Sequence, residues 1–185
     1  MSAFPQGRGR SAAGVAHAAT RGIVGLLFVG HGLRKLTTAL GGPGLDGATA
    51  QMEGLGLHPA RATAVSAATT QLAGGALLTA GLLTPAASAA IAGNMFVVMR
   101  TSCAGKGPWG ANGGWEYPLV LSAAALGLAE HGPGPLSLDR ALGTERSGAG
   151  TAAAALAVAL ASAAAVLRTR ARVGARPADQ SLGRM

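Results

Sequence analysis

Three ionisable side chains interrupt or bound the first apolar run of this chain: Arg21, His31 and Lys35. On a helix at ~100° per residue, Arg21, Gly25, Phe28, His31, Gly32 and Lys35 share an arc of about 120°. The opposite face is Ile, Leu and Val. Ionisable groups within a span are costly, turn toward protein and mark functional sites. Arg21 and Lys35, near the two ends, also have the reach to snorkel to the interfaces. His31 lies deeper, where a histidine either bonds to a neighbouring helix or moves protons near neutral pH. Gln71 and Asn94 fall in the middle of later apolar runs. Such amides bond between helices or hold a carbonyl group. Glu116 stands between Trp115 and Tyr117 at the mouth of another run, where burial requires a partner such as Arg21, Lys35 or Arg100.

Other chemistries find no support. A single cysteine, Cys103, excludes an internal disulfide and a cysteine-based metal cluster. His17, His31, His58 and His131 are scattered without ligand spacing, so no metal site and no haem ligation is expected. Gly105-Lys106-Gly107 lacks the spaced glycine and the hydroxyl residue of a phosphate loop, and no Gly-x-Ser-x-Gly occurs. Aromatic residues make up 3%, too few for base stacking along a basic stripe, so nucleic acid is not an expected partner.

The elements that position these residues are apolar helices. Of 185 residues, 49% are hydrophobic and 12% charged, with 30 glycines. Mean hydropathy is +0.37. That charge is about half the share of a soluble domain, so lipid is the expected solvent for most of the chain. Spans are expected near 17–40, 61–82, 85–101, 116–130 and 149–167, and the first is expected to be retained rather than cleaved as a signal peptide. The organisation is a tail at 1–15, a four-helix core at 16–140, a linker and fifth helix at 141–168, and a basic tail at 169–185. The fold class is thus all-α, a polytopic transmembrane bundle with a fifth C-terminal helix. A short amphipathic helix is expected at 49–57. Trp109, Trp115 and Tyr117 form an expected interfacial belt, and Met95 and Met99 are expected in the core. Fifteen Lys and Arg against seven Asp and Glu lie mainly between and after the runs. With five spans, the tail arginines place the C-terminus on the cytoplasmic side of the plasma membrane.

The pattern Arg21-x-x-x-Gly25-x-x-Phe28-x-x-His31-Gly32-x-x-Lys35 resembles the opening helix of the DoxX family. The likeness continues through Gly54-Leu55-Gly56, Gly74-Gly75 with Gly81, Gly114-x-Glu116, and Gly132-Pro133-Gly134-x-x-Ser137-x-Asp139, so it covers roughly residues 20–140. It departs at Gln71, where many relatives carry a glutamate. The resemblance implies a four-helix membrane core linked to redox systems. The family takes its name from a subunit of a thiosulfate:quinone oxidoreductase. On that basis the expected function is a membrane subunit that meets quinone within the bilayer. Arg21, His31, Lys35 and Gln71 would donate to its carbonyls, Phe28 would stack on the ring, and Asn94 and Glu116 would complete the site. No covalently bound cofactor is expected, and no complete active site in this chain alone. A soluble redox protein would then be its partner, and small residues on several helices permit a homo-oligomer. The alternative is a non-catalytic membrane scaffold for soluble redox enzymes. A small-molecule transporter ranks third, because the halves show no inverted repeat.

Overall fold

The computed structural model describes residues 7–170, with side chains from residue 14. Of the expected tails at 1–15 and 169–185, residues 1–6 and 171–185 lie outside that range, whereas residues 7–15 are not a tail but the opening turns of the first helix. Among the described residues there are seven α-helices and no strand. α1 (Gly7–Leu36) is long and stops at Thr37, whose hydroxyl donates to Leu33 O and accepts from the Ala39 N–H. The chain then bends by 100° into α2 (Gly44–Gly54). α2 starts five residues before the expected amphipathic helix: Pro43 initiates it and Asp46 complements its N-terminal dipole.

α3 (Ala60–Ala80) ends on Gly81, whose φ of 65° supplies the left-handed cap. α4 (Thr84–Arg100) carries Pro85 in its first turn, where no donor is lost. α5 (Glu116–His131), the one-turn α6 (Leu138–Ala141) and α7 (Ala149–Arg168) follow. Every expected apolar run is therefore a helix.

α1 lies along α3, α3 lies on α4, and α4 is flanked by α5 and α7, while α2 crosses the end of α3. The main core joins Val24 and Phe28 of α1, Leu78 of α3, Ile91 and Met95 of α4, and Leu121 and Leu128 of α5. A second cluster seats Ala48 and Met52 of α2 on Ala60 and Ala64 of α3. The outer faces are apolar too: Ile23, Leu26, Val120, Val158 and Leu160 are all more than half exposed.

Among the described residues one helix, α7, is by length and composition able to cross a membrane, with a mean hydropathy of 2.0. α1 and α2 pass the same test together as a bent pair. α4 and α5, at 17 and 16 residues, fall short of the ~20 a straight crossing takes. The all-helical architecture is as expected, whereas the helices do not by themselves establish five crossings.

Glycine sets the closeness of the α1–α3 seam. A Cβ on Gly25 would collide with the Thr79 hydroxyl and lie 2.5 Å from Gly75 O, and one on Gly32 would lie 2.7 Å from Ala68 O. A Cβ on Gly75 would in turn lie 2.5 Å from Gly25 O. Backbone meets backbone there, the contact that small residues allow between membrane helices. Gly74 points the other way, toward Ala87 and Ile91 of α4.

Candidate functional site

The polar residues of α1 divide between the two ends of the molecule. At one end Arg21 is buried and works as a clamp. Its guanidinium donates to the carbonyls of Pro133 and Leu136, and its Nε to Thr79 O at 3.4 Å. His17 Nε2 meets Gly132 O at 2.7 Å, and the Gly134 backbone lies against the His17 ring.

Beside this clamp, Asp139 caps α4 from a distant part of the chain. Its carboxylate accepts from the Leu83 N–H at 2.9 Å, the Thr84 N–H at 3.0 Å and the Thr144 hydroxyl at 3.1 Å. Its own N–H donates to Gly81 O at 2.8 Å. Leu83 adopts φ 50°, an unusual value for leucine that this grip on its N–H helps to hold. Burial opposes ionisation of Asp139. The Thr84 and Leu83 N–H groups and the Thr144 hydroxyl outweigh it and hold the pKa below the ordinary carboxylate value. The segment Gly132-Pro133-Gly134-x-x-Ser137-x-Asp139 is thus a structural latch for α1, α3 and α4.

At the other end a cavity of about 410 Å³ lies among α2, α3, α4 and α7, with Lys35 of α1 reaching into it. Its walls are mostly apolar: Met52 and Leu57 on one side, Val97 and Val98 on α4, Ala163 and Val166 on α7. Three polar side chains line it in a row. Lys35 Nζ donates to Gln71 Oε1 at 3.1 Å, and Gln71 Nε2 donates to Asn94 Oδ1 at 2.9 Å. The order is forced by chemistry. An ammonium only donates, so Gln71 must turn its oxygen to Lys35 and its nitrogen to Asn94. Asn94 then turns its oxygen to Gln71 and keeps its NH2 as a donor. Both ends of the row offer N–H groups, so the row suits a ligand that brings acceptors. Of the hydroxyls around the cavity, Thr63, Thr101, Ser162 and Thr169 donate to carbonyls of their own helices, while Ser66, Thr70 and Ser102 also line it and can supplement the row.

Several expected site residues fall elsewhere. Arg21 is spent on backbone carbonyls and does not line the cavity. Phe28 is fully buried in the main core, so it has no face to stack on a ligand in the cavity. His31 meets the Phe28 ring edge-on, at 6.4 Å between centroids, and it too is absent from the cavity wall. Helical periodicity placed these residues on one inward face, which is correct. It carries no information on how far along the axis each one works.

Glu116 pairs with none of its expected cations. It accepts from the Gly110 N–H at 2.5 Å and braces the loop before α5. Gln71 and Asn94 bond across α3 and α4, the interhelical role expected of such amides, and both also line the cavity. Met95 is in the core, and Trp109, Trp115 and Tyr117 are exposed.

The part that sequence reasoning missed is the contribution of α7. Ala155, Ala159 and Ala163 form its buried stripe. A Cβ on Gly93 of α4 would lie 2.5 Å from Ser162 Oγ, so this glycine sets how near α7 comes. Arg170 fastens the end of α7, donating to Leu55 O at 3.1 Å and Arg100 O at 3.3 Å. The four-residue spacing of small residues in 155–163 and Gly93 were the available signals.

A family model described as DoxX matches residues 16–102, which takes in α1 to α4 and with them Lys35, Gln71 and Asn94. The match ends before Glu116, the Gly132–Asp139 latch and α7. No curated protein and no solved structure matches the chain. The family is membrane-associated, in keeping with the apolar outer faces. The likeness of this all-helical chain to the DoxX family is thus carried by residues 16–102.

Proposed function

We propose that this protein is a multi-pass membrane subunit of a redox system that binds quinone in the cavity beside Lys35. The observation that carries the proposal is the donor row Lys35–Gln71–Asn94 at the edge of an apolar cavity. A quinone is an apolar ring with two carbonyl acceptors, and each end of the row offers it a donor. The ring and the start of its tail would lie against Val97, Val98 and Val166.

Apolar faces turned outward on α1, α5 and α7 support immersion in lipid. With α1 bent into α2 and α4 and α5 short, local thinning of the bilayer would accommodate the bundle. In this arrangement the turn after α1, the loop after α4 and Arg170 share the cytoplasmic end. The chain supplies binding and orientation, and the electrons come from a soluble redox partner.

The test is quinone extraction from the full-length protein purified in detergent, together with titration by decylubiquinone. Bound quinone is expected, and Lys35→Met or Asn94→Leu should each weaken decylubiquinone by about tenfold, equal to ~1.4 kcal/mol. His31→Ala and Arg21→Lys should leave that affinity near the parent value. Absence of extracted quinone combined with no saturable titration would end the proposal.

A further inference from the structure

We infer that the cavity's preferred ligand carries a negative charge at its head, delivered to the Lys35 ammonium. This deepens the proposed quinone site and rests on the same cavity, but it can fail or stand separately. Lys35 is the one charged residue among those that line the cavity in the described chain. Its hydrogen-bond partner is an amide oxygen, which is neutral.

The carboxylates within reach of this end are turned away or engaged. Asp46 of α2 is solvent-exposed and bonds to Arg61, and Glu53 of the same helix is exposed and does not line the cavity. Glu116 is engaged by the Gly110 N–H, and Asp139 is occupied in the latch at the opposite end. The neighbouring Arg34 adds positive charge, with its guanidinium on Gly41 O.

A cation in an apolar wall is stabilised by an anion with good hydrogen-bond geometry, and an amide alone does not supply one. The Asn94 NH2 can serve a second oxygen of the same head group. The ligand class that meets both conditions is an amphiphile with one ionised oxygen-bearing head on an apolar body. Two sources share that chemistry: an ionised hydroxyquinone, and a fatty carboxylate.

The experiment measures binding to the full-length protein in lipid nanodiscs. The probes are an alkyl hydroxynaphthoquinone, its methyl ether, oleate and methyl oleate. The acid of at least one pair should bind about tenfold or more tightly than its neutral ether or ester. Lys35→Met should erase that preference, and Lys35→Arg should restore part of it. If Lys35→Met does not fold, the acid-against-ether comparison on the parent protein still decides.

Equal binding of acid and neutral forms overturns the inference, as does a preference that survives in Lys35→Met. Saturable binding of neutral quinones with no acid preference overturns it while leaving the quinone site intact. Binding of oleate but of no quinone upholds it and removes the quinone reading. Binding of none of the probes overturns both.

Discussion

Replacing Asp139 by asparagine keeps the shape of the latch but removes its charge and turns one acceptor into a donor. The Leu83 and Thr84 N–H groups then share a weaker partner, and the fold should lose about 1–3 kcal/mol. Thermal melts of the detergent-purified protein at neutral pH check this. The pH dependence has a definite sign. The folded Asp139 pKa lies below the ordinary value, so its contribution is complete above about pH 4 and fades as pH falls through the folded pKa. Asp139→Asn should therefore show a smaller drop in melting temperature over that acidic range than the parent. Arg21→Met should cost about 3 kcal/mol or more, because buried carbonyls lose a charged donor; Arg21→Lys should recover only part of it, since an ammonium lacks the guanidinium fork. At this scale the sequence displayed which residues mattered but not what each does. Arg21 and Lys35 share a face and a charge, yet one is consumed by Thr79, Pro133 and Leu136 while the other is offered to a cavity. Acceptors on the backbone of a loop more than a hundred residues away leave no mark in local periodicity.

Helices α3, α4 and α7 begin and end within a residue or two of where apolar length and Gly/Pro punctuation put them. Those boundaries were legible because they are local: Gly81 with its left-handed cap and Pro85 in a first turn act on their own neighbours. The pairing of helices was not legible. The Gly25/Gly32/Gly75 seam and the Gly93 contact are seen only when two helices are laid together. Gly75→Val should push α1 from α3 and unfold the seam, since its side chain would meet Gly25 O and the Val29 N–H. Loss of monodispersity on size-exclusion chromatography reads this out. Gly93→Ala is milder, because the Ser162 hydroxyl can rotate and the Ala159 carbonyl, 3.1 Å from the new Cβ, requires α7 to shift by only a few tenths of an ångström. It should spare the fold and weaken decylubiquinone by about tenfold through displacement of α7. Melting temperature and titration of the same variant separate the two effects. Removal of residues 148–185 should abolish saturable binding, since Ser162, Ala163 and Val166 are cavity wall. Retained affinity in that truncation would show α7 to be dispensable.

For the whole molecule, composition pointed to lipid as the solvent and the apolar runs to an all-helical chain, and the ends of the bundle sort its charges. Arg170 with Leu55 and Arg100 defines one end, and Arg21 with Pro133 and Leu136 defines the other. A reporter that is active only in the cytoplasm, fused after Met185, should be active, and one inserted at Gly143 should be silent. The reverse pattern would invert the orientation argued from the arginines. The latch at the second end also has a bearing on biosynthesis. In the proposed multi-pass arrangement Arg21 would enter the membrane with the first helix, whereas its acceptors Pro133 and Leu136 are made 112 and 115 residues later. Until then Thr79 O would be the one acceptor of the three available to the guanidinium, and the nascent first helix would keep the rest of that group hydrated by staying near the interface. Final seating of the first helix on the third would therefore be a late event, coupled to emergence of the segment that follows the fifth. A ribosome stalled before residue 133 should leave position 21 open to water-borne labels, and one stalled after residue 170 should close it.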